Sequence, residues 1–291
     1  MVIEGRARGK LFDPIADQYD RARPGYPSAL FDDLADITGL RGPAHAVEIG
    51  CGTGQASRDL LLRGWEVTAV EPGEAMAAIA RRHFASQPFA LEPATFEAWD
   101  PGGRTFDLAF SATAFHWVDP AIRWAKAASV LRPAGHLALV TNYTVRGGTF
   151  SELYAAASAL HAKYAWATDE GPPPTEAEVV AALSAAAPDI GSVWGIAEPK
   201  AGATEAGASF APPVVRCYPW EQRYTAPEAV ALLSTYSLYL ALPPDHREPL
   251  LAGIQALIDE QFAGEVTRLY VSVLAVAQVH RRRPQSQISR L

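Results

Sequence analysis

Four residues at every second position, Glu48, Gly50, Gly52 and Gly54, and a second acid, Glu71, are the set best suited to chemistry in this chain. The glycines follow the short apolar run Val47-Glu48-Ile49, and Glu71 closes a second such run, Trp65 to Val70. Together they can grip a nucleoside. Glycine lets a backbone turn sharply and lie flat against a ligand, because no Cβ holds it off. A carboxylate at the tip of the next strand can accept hydrogen bonds from both hydroxyls of a ribose. A G-x-G-x-x-G loop, which seats a pyrophosphate on a helix N-terminus, needs glycine at position 55, where this chain has Gln. Nicotinamide redox chemistry is therefore disfavoured.

These residues need two parallel strands, a turn between strand and helix, and a helix behind it, which is half of an open α/β sheet. The hydrophobic pattern supplies the parts. Helices are expected over 14–20 and 28–40, with Ser28 as cap and Gly39 near the end. Further helices are expected over 55–63, stopped by Gly64, and over 74–84, with Arg81, Arg82 and His83 where the helix dipole favours cations. A strand over 105–112 precedes a helix opened by Asp119-Pro120 and ended by Pro133-Ala134-Gly135; a fifth strand covers 136–143. From 146 to 213 the rhythm breaks into two helical patterns, 150–166 and 176–187, separated by Gly171-Pro172-Pro173-Pro174. This loosely tied insertion reads as a lid. A strand at 214–224, helices at 227–240 and 247–262, and a strand at 266–278 complete the pattern.

The stretch Glu48-x-Gly50-x-Gly52-x-Gly54 with Glu71 resembles motif I of the class I S-adenosylmethionine-dependent methyltransferases. Other segments resemble the small-molecule group that includes the trans-aconitate methyltransferases: Phe12-Asp13 to Asp20, Arg23-Pro24-Gly25-Tyr26-Pro27, Phe106 to Ala112, Phe115-His116-Trp117, and Leu131 to Gly135. Trp220 to Ser237 matches the group's C-terminal region. The resemblance implies an α/β, Rossmann-like fold with a seven-stranded, mostly parallel sheet and an inserted helical lid. It divides the chain into N-terminal helices and donor-binding core (1–145), lid (146–213), the rest of the sheet (214–280) and a disordered tail (281–291). It also implies that Glu48, Gly50, Cys51, Gly52, Gly54, Glu71, Pro72, Met76, Thr95, Phe96, Ser111, Phe115 and His116 hold S-adenosylmethionine. Thr95 stands where the family often has an acid for the adenine amino group. Tyr19, Tyr26, Trp117, Tyr143, Phe210 and Tyr236 are expected to meet the acceptor.

Methyl transfer from a sulfonium depends chiefly on in-line placement of the nucleophile. A carboxylate acceptor needs cations or donors to hold it, a hydroxyl is helped by a base, and an alkene needs π-faces for a developing carbocation and a base to take a proton. The lid region is rich in aromatic residues: Phe150, Tyr154, Tyr164, Trp166, Trp194 and Phe210, with Tyr218 and Trp220 following. Glu170 is the candidate base, with His116 as an alternative catalytic group. Arg146, Arg216 and Arg223 are candidates to hold an acidic head group. This pattern is loosely similar to the prenyl-diphosphate carbon methyltransferases, and a diphosphate would bring Mg²⁺ with it; no dedicated protein metal site is visible. Carbon methylation of an isoprenoid diphosphate, in secondary metabolism, is slightly preferred. Oxygen methylation of a small carboxylate or hydroxyl compound is the close alternative, and a non-catalytic protein that binds S-adenosylmethionine is a remote one.

Composition bounds these readings. The 291 residues are 49% hydrophobic and 20% charged, as a globular protein requires. The net charge of −7 argues against nucleic acid, and the basic cluster Arg281-Arg282-Arg283 lies in the tail. Two cysteines make no disulfide framework and fit a reducing cytoplasm. No apolar run approaches a membrane span. The preference for Arg over Lys, with abundant Ala, Gly and Pro, fits a GC-rich bacterial genome.

Overall fold

The computed structural model describes residues 11–164, 173–185, 190–191 and 210–280. Strands β1 (His45–Ile49), β2 (Glu66–Val70), β3 (Phe89–Glu92), β4 (Phe106–Ala112) and β5 (Leu131–Val145) are parallel. β7 (Glu265–Gln278) runs antiparallel between β5 and β6 (Val214–Thr225). The resulting order is β3-β2-β1-β4-β5-β7-β6. The strand order reverses between β1 and β4, and open α/β sheets receive ligands at the carboxyl ends beside such a switch point.

Helices cover both faces, so the central strands bury both sides of their alternation. Leu137 and Leu139 of β5 pack with Val47, Ile49, Phe106 and Trp124 on one face. Ala138 and Val140 pack with Phe31, Leu34, Leu60 and Phe110 on the other. The second face is covered by α2 (Ser28–Thr38), α3 (Ser57–Leu62) and α4 (Glu74–His83). The first is covered by α5 (Arg123–Ser129) and, farther along, α8 (Glu176–Ala185). α1 (Ala16–Ala22) lies on α4. The cations at the end of α4 meet acids of α1: His83 Nε2 is 2.9 Å from Asp20 and Arg82 is 3.7 Å from Asp17.

Three turn signals act differently from the expectation. Asp119 does not cap a helix at Pro120. Its Oδ1 accepts from Ala121 N at 2.8 Å, a local turn that delays α5 to Arg123. Ser28 is the first residue of α2 rather than its cap, because Pro27 occupies the cap position. Pro133-Ala134-Gly135 lies within β5, which begins at Leu131; Phe106 pairs with Leu131 and the register then shifts before Leu108. By contrast, Thr225 and Glu228 form a reciprocal capping box at α9 (Ala226–Ser234).

The inserted region is more firmly packed than a loose lid over its described parts. α6 (Gly148–Ala156) buries Phe150 and Leu153 among Tyr224, Tyr270, α9 and α11 (Pro244–Gln261). α7 (Ser158–Tyr164) packs on α11, and His161 bonds Tyr239 of α10 (Ser237–Leu240) at 2.8 Å. Val179 and Leu183 of α8, with Ile190 and Phe210, join the core on the opposite face of the sheet. The physical reason is that β6 and β7 leave two broad apolar faces at the sheet edge, and these segments cover them.

Candidate active site at the carboxyl ends of the strands

The glycine turn leaves β1 with Gly50 N donating to Val70 O at 2.8 Å. Gly50 has φ +70°, and a Cβ there would come within 2.6 Å of the Ala114 Cβ. Gly54 has φ +100° and faces the Phe84 ring, which a Cβ would overlap. At both positions glycine is required by contacts within the protein as well as by the left-handed backbone. Gly52 has φ +59°, and a Cβ there would meet Met76, Gln55 and Tyr19 at 3.5–3.9 Å, ordinary contact distance.

Glu71 joins the loop to the next strand's tip. Its Oε2 accepts from Gly52 N and its Oε1 from Gly73 N, each at 2.9 Å. A carboxylate has about four acceptor positions, so two remain unused. The side chain is buried, which raises its pKa, while the two amide bonds oppose the rise. Glu48 sits deeper, 1% exposed, and accepts from Ser57 Oγ, bracing the loop against α3. Burial pushes its carboxyl up to about 7 against the pull of Ser57. Cys51 is also buried, and its thiol is pushed well above the usual range by desolvation.

The N-terminal segment closes one side. Asp13 Oδ1 accepts from Ala75 N at 2.7 Å and from Met76 N at 3.3 Å, capping α4 from a distant part of the chain. Tyr19 lies beside Gly52, and Arg23 stacks on the rings of Tyr19 and Tyr236 at 5.0 and 4.4 Å. Arg23 also donates to Thr235 Oγ1 and Thr235 O at 2.9 and 2.8 Å. Tyr26 and Thr113 share a hydroxyl bond of 3.0 Å across the turn after β4.

The structure thus brings together Gly50, Cys51, Gly52, Glu71, Met76, Tyr19, Tyr26 and Tyr236, with Pro72 in the turn after Glu71. His116 and Trp117 lie partly exposed past β4, their rings 4.7 Å apart, and Trp117 meets Phe12 edge-on at 6.1 Å. Other expected residues make contacts within the protein. Phe115 is fully buried against Trp124, and Ser111 Oγ donates to Ile49 O at 2.8 Å. Phe96 stacks on Trp99, and Thr95 Oγ1 accepts from Ala98 N within its own turn. Tyr143 points to the opposite face of β5 from Asn142 and Thr144 and packs with the first core cluster. Phe210 lies in that same cluster. Glu170, Trp166, Trp194 and Arg281 to Arg283 fall outside the described residues.

The three arginines expected to hold an acidic group are engaged elsewhere. Arg146 donates to Pro173 O and lies 3.9 Å from Glu178, Arg223 lies 3.8 Å from Glu265, and Arg216 donates to Val215 O. A buried cation that the sequence reading did not single out is Arg268 of β7. It donates to Tyr236 Oη and Thr144 Oγ1 at 2.6 Å each. Its signal was present in the sequence as an arginine on the inward side of Val266-x-Arg268-x-Tyr270-x-Ser272-x-Leu274, a stripe otherwise fit for burial. Beside it, Ser272 Oγ donates to Asn142 Oδ1 and accepts from Trp220 Nε1 at 2.8 Å. Among the described residues no group of three or more His, Cys, Asp or Glu is arranged to hold a metal ion, and no helix is long and apolar enough to cross a membrane.

The description "methyltransferase domain" fits residues 47–139 in a comparison with known families. This segment spans β1 to the middle of β5 and contains the glycine turn and Glu71. An uncharacterised methyltransferase of Mycobacterium bovis is 34% identical to the chain over 142 residues, covering 49% of this chain and 56% of that protein. The malonyl-[acyl-carrier protein] O-methyltransferase of Pseudescherichia vulneris is 33% identical over 164 residues, 56% of this chain and 62% of its own. The chain therefore spans little more than half the length of these curated relatives. A solved protein of Anaeromyxobacter dehalogenans, assigned as a type II methyltransferase, superposes with a TM-score of 0.58 at 25% identity. That match covers 88% of this chain and 97% of that one. The fold is the Rossmann-like fold of the class I methyltransferases, with the whole sheet included.

Proposed function

We propose that the protein transfers a methyl group from S-adenosylmethionine to an oxygen atom of a small molecule. The observation that carries this reading is the Glu71 latch: one acid fixes Gly52 and Gly73 and keeps acceptor positions for the two hydroxyls of a ribose. The Gly52 backbone, with Met76 and Tyr19 beside it, would face the methionine portion of the donor. Past β4, His116 and Trp117 border the same end of the sheet. The bound donor supplies an electrophilic methyl group and leaves as a neutral thioether. The protein's task is to hold and align the acceptor, and alignment of this kind is worth about 7–11 kcal/mol.

Oxygen is preferred over carbon on two grounds. The Pseudescherichia relative is named as an O-methyltransferase. The carbon reading depends on aromatic rings that stabilise a developing carbocation, yet the Phe150 ring already stacks on the Arg268 guanidinium at 4.6 Å, a positive charge that would oppose one. A cytoplasmic enzyme with no nucleic-acid partner completes the proposal.

The test begins with S-adenosylhomocysteine titrated calorimetrically into the full chain. Replacing Glu71 with Ala removes charge-assisted bonds and weakens binding by about 1.5–3 kcal/mol; an unchanged affinity would count against the ribose role. Transfer of a labelled methyl group to small molecules of a cell extract separates an enzyme from a protein that only binds the donor.

A further inference from the structure

Arg268 is 9% exposed and forms no ion pair with a carboxylate among the described residues. Its neighbours are aromatic: its guanidinium lies over the rings of Phe150 at 4.6 Å, Tyr236 at 5.2 Å and Tyr270 at 5.3 Å. Two of its five N–H donors go to the hydroxyls of Tyr236 and Thr144. The buried Nε has no hydrogen-bond partner. Taking a cation out of water is expensive unless an anion and further hydrogen bonds compensate for it. Cation–π contact recovers only part, on the order of 1–2 kcal/mol.

The surrounding polar groups differ. Asn142, Ser272 and Trp220 satisfy one another on the same sheet face, and Tyr224 and Tyr270 share a hydroxyl bond of 2.9 Å. Within this network Arg268 Nε is the buried polar atom with no hydrogen-bond partner, and it belongs to the group that carries the charge. A continuous line of contacts also leads to it from the donor loop, through Tyr19 beside Gly52, Arg23 on Tyr19, and Tyr236 between Arg23 and Arg268.

We infer that Arg268 anchors a carboxylate of the acceptor, with the Tyr236 and Thr144 hydroxyls aiming the guanidinium and the aromatic rings flanking a flat anion. This rests on the methyltransferase reading and specifies its substrate class. A single fork between rings suits a planar carboxylate, which it can meet through Nε–H and a terminal N–H. A diphosphate carries more charge than one arginine can balance. A carboxylate whose lone pairs are engaged by a guanidinium is also a weakened nucleophile, so this group is the handle and the methyl group goes to a different oxygen of the acceptor.

The experiment uses the full chain saturated with S-adenosylhomocysteine, titrated with octanoate, benzoate, succinate and octyl phosphate. At least one carboxylate is expected to bind, and Arg268→Met, of similar length but without charge, to weaken it at least tenfold. S-adenosylhomocysteine affinity should stay within twofold, which also reports folding. Arg268→Lys keeps a cation but loses the fork, and should weaken carboxylate binding at least fivefold. Octyl phosphate binding tighter than octanoate, carboxylate affinity unchanged in either variant, or no carboxylate bound by the loaded wild-type protein would each overturn the assignment. Failure of the wild-type protein to take up S-adenosylhomocysteine would instead bring down the donor reading.

Discussion

The proposed donor end and the proposed acceptor end of this molecule are built over different chain distances. At the donor end the decisive polar contacts are short in sequence: Glu48 meets Ser57 nine residues away, and Gly52 meets Glu71 nineteen away. At the acceptor end they are long: Thr144 to Arg268 spans 124 residues, Asn142 to Ser272 spans 130, and Arg23 to Thr235 spans 212. One strand–turn–helix–strand unit can specify the first set. The second forms only after β7 has inserted between β5 and β6 and α9 has packed behind them.

Perturbing one end while measuring the other tests the contrast. The largest effect is expected for Phe150→Ala, which empties a buried site in the third apolar cluster. Stability in urea should fall by about 3–5 kcal/mol, while S-adenosylhomocysteine affinity extrapolated to the folded protein changes less than twofold. A parallel loss of donor affinity would mean the two ends are not separable.

A smaller effect is expected at Glu48, and it depends on pH. Its folded pKa is raised by burial from 4.5 to about 7, so the folded protein holds a proton that the unfolded chain has released. The stability from this group is fully present below about pH 4.5 and is lost as the pH rises through about 7. Glu48→Gln removes that loss, flattening the stability profile by about 1.4 kcal/mol for each pH unit between those values. Equal pH slopes for mutant and wild type between pH 5 and 8 would contradict a raised Glu48.

The smallest is Asp13→Ala. It deletes the cap supplied to α4 by the N-terminal segment, and about 0.5–2 kcal/mol of stability should go with it. Faster amide exchange at Ala75 and Met76 than in the wild type is the direct readout. Unchanged protection there would show that the segment does not hold α4.

Much of the donor end was legible because its signals are local. The apolar runs, the glycine spacing and Glu71 marked β1, the turn and β2. The same locality misled at Asp119, where a side chain bonded its own turn instead of capping a helix. The acceptor end was read by composition, and composition overstated the aromatic lid: Phe150 and Phe210 were needed to cover opposite faces of the sheet edge. Arg268 was missed because an arginine in a strand gives no local sign of whether a partner will reach it.

The amino-acid order by itself determined the elements, the left-handed glycine turn and the acid that latches it, because backbone geometry and hydrophobic periodicity act within a few residues of their cause. Which cation would be buried without a counter-ion, and which aromatic rings would wall it, was decided by the tertiary structure. That outcome depends on antiparallel register across β5, β7 and β6, where a shift of one residue would turn Arg268 to the other face.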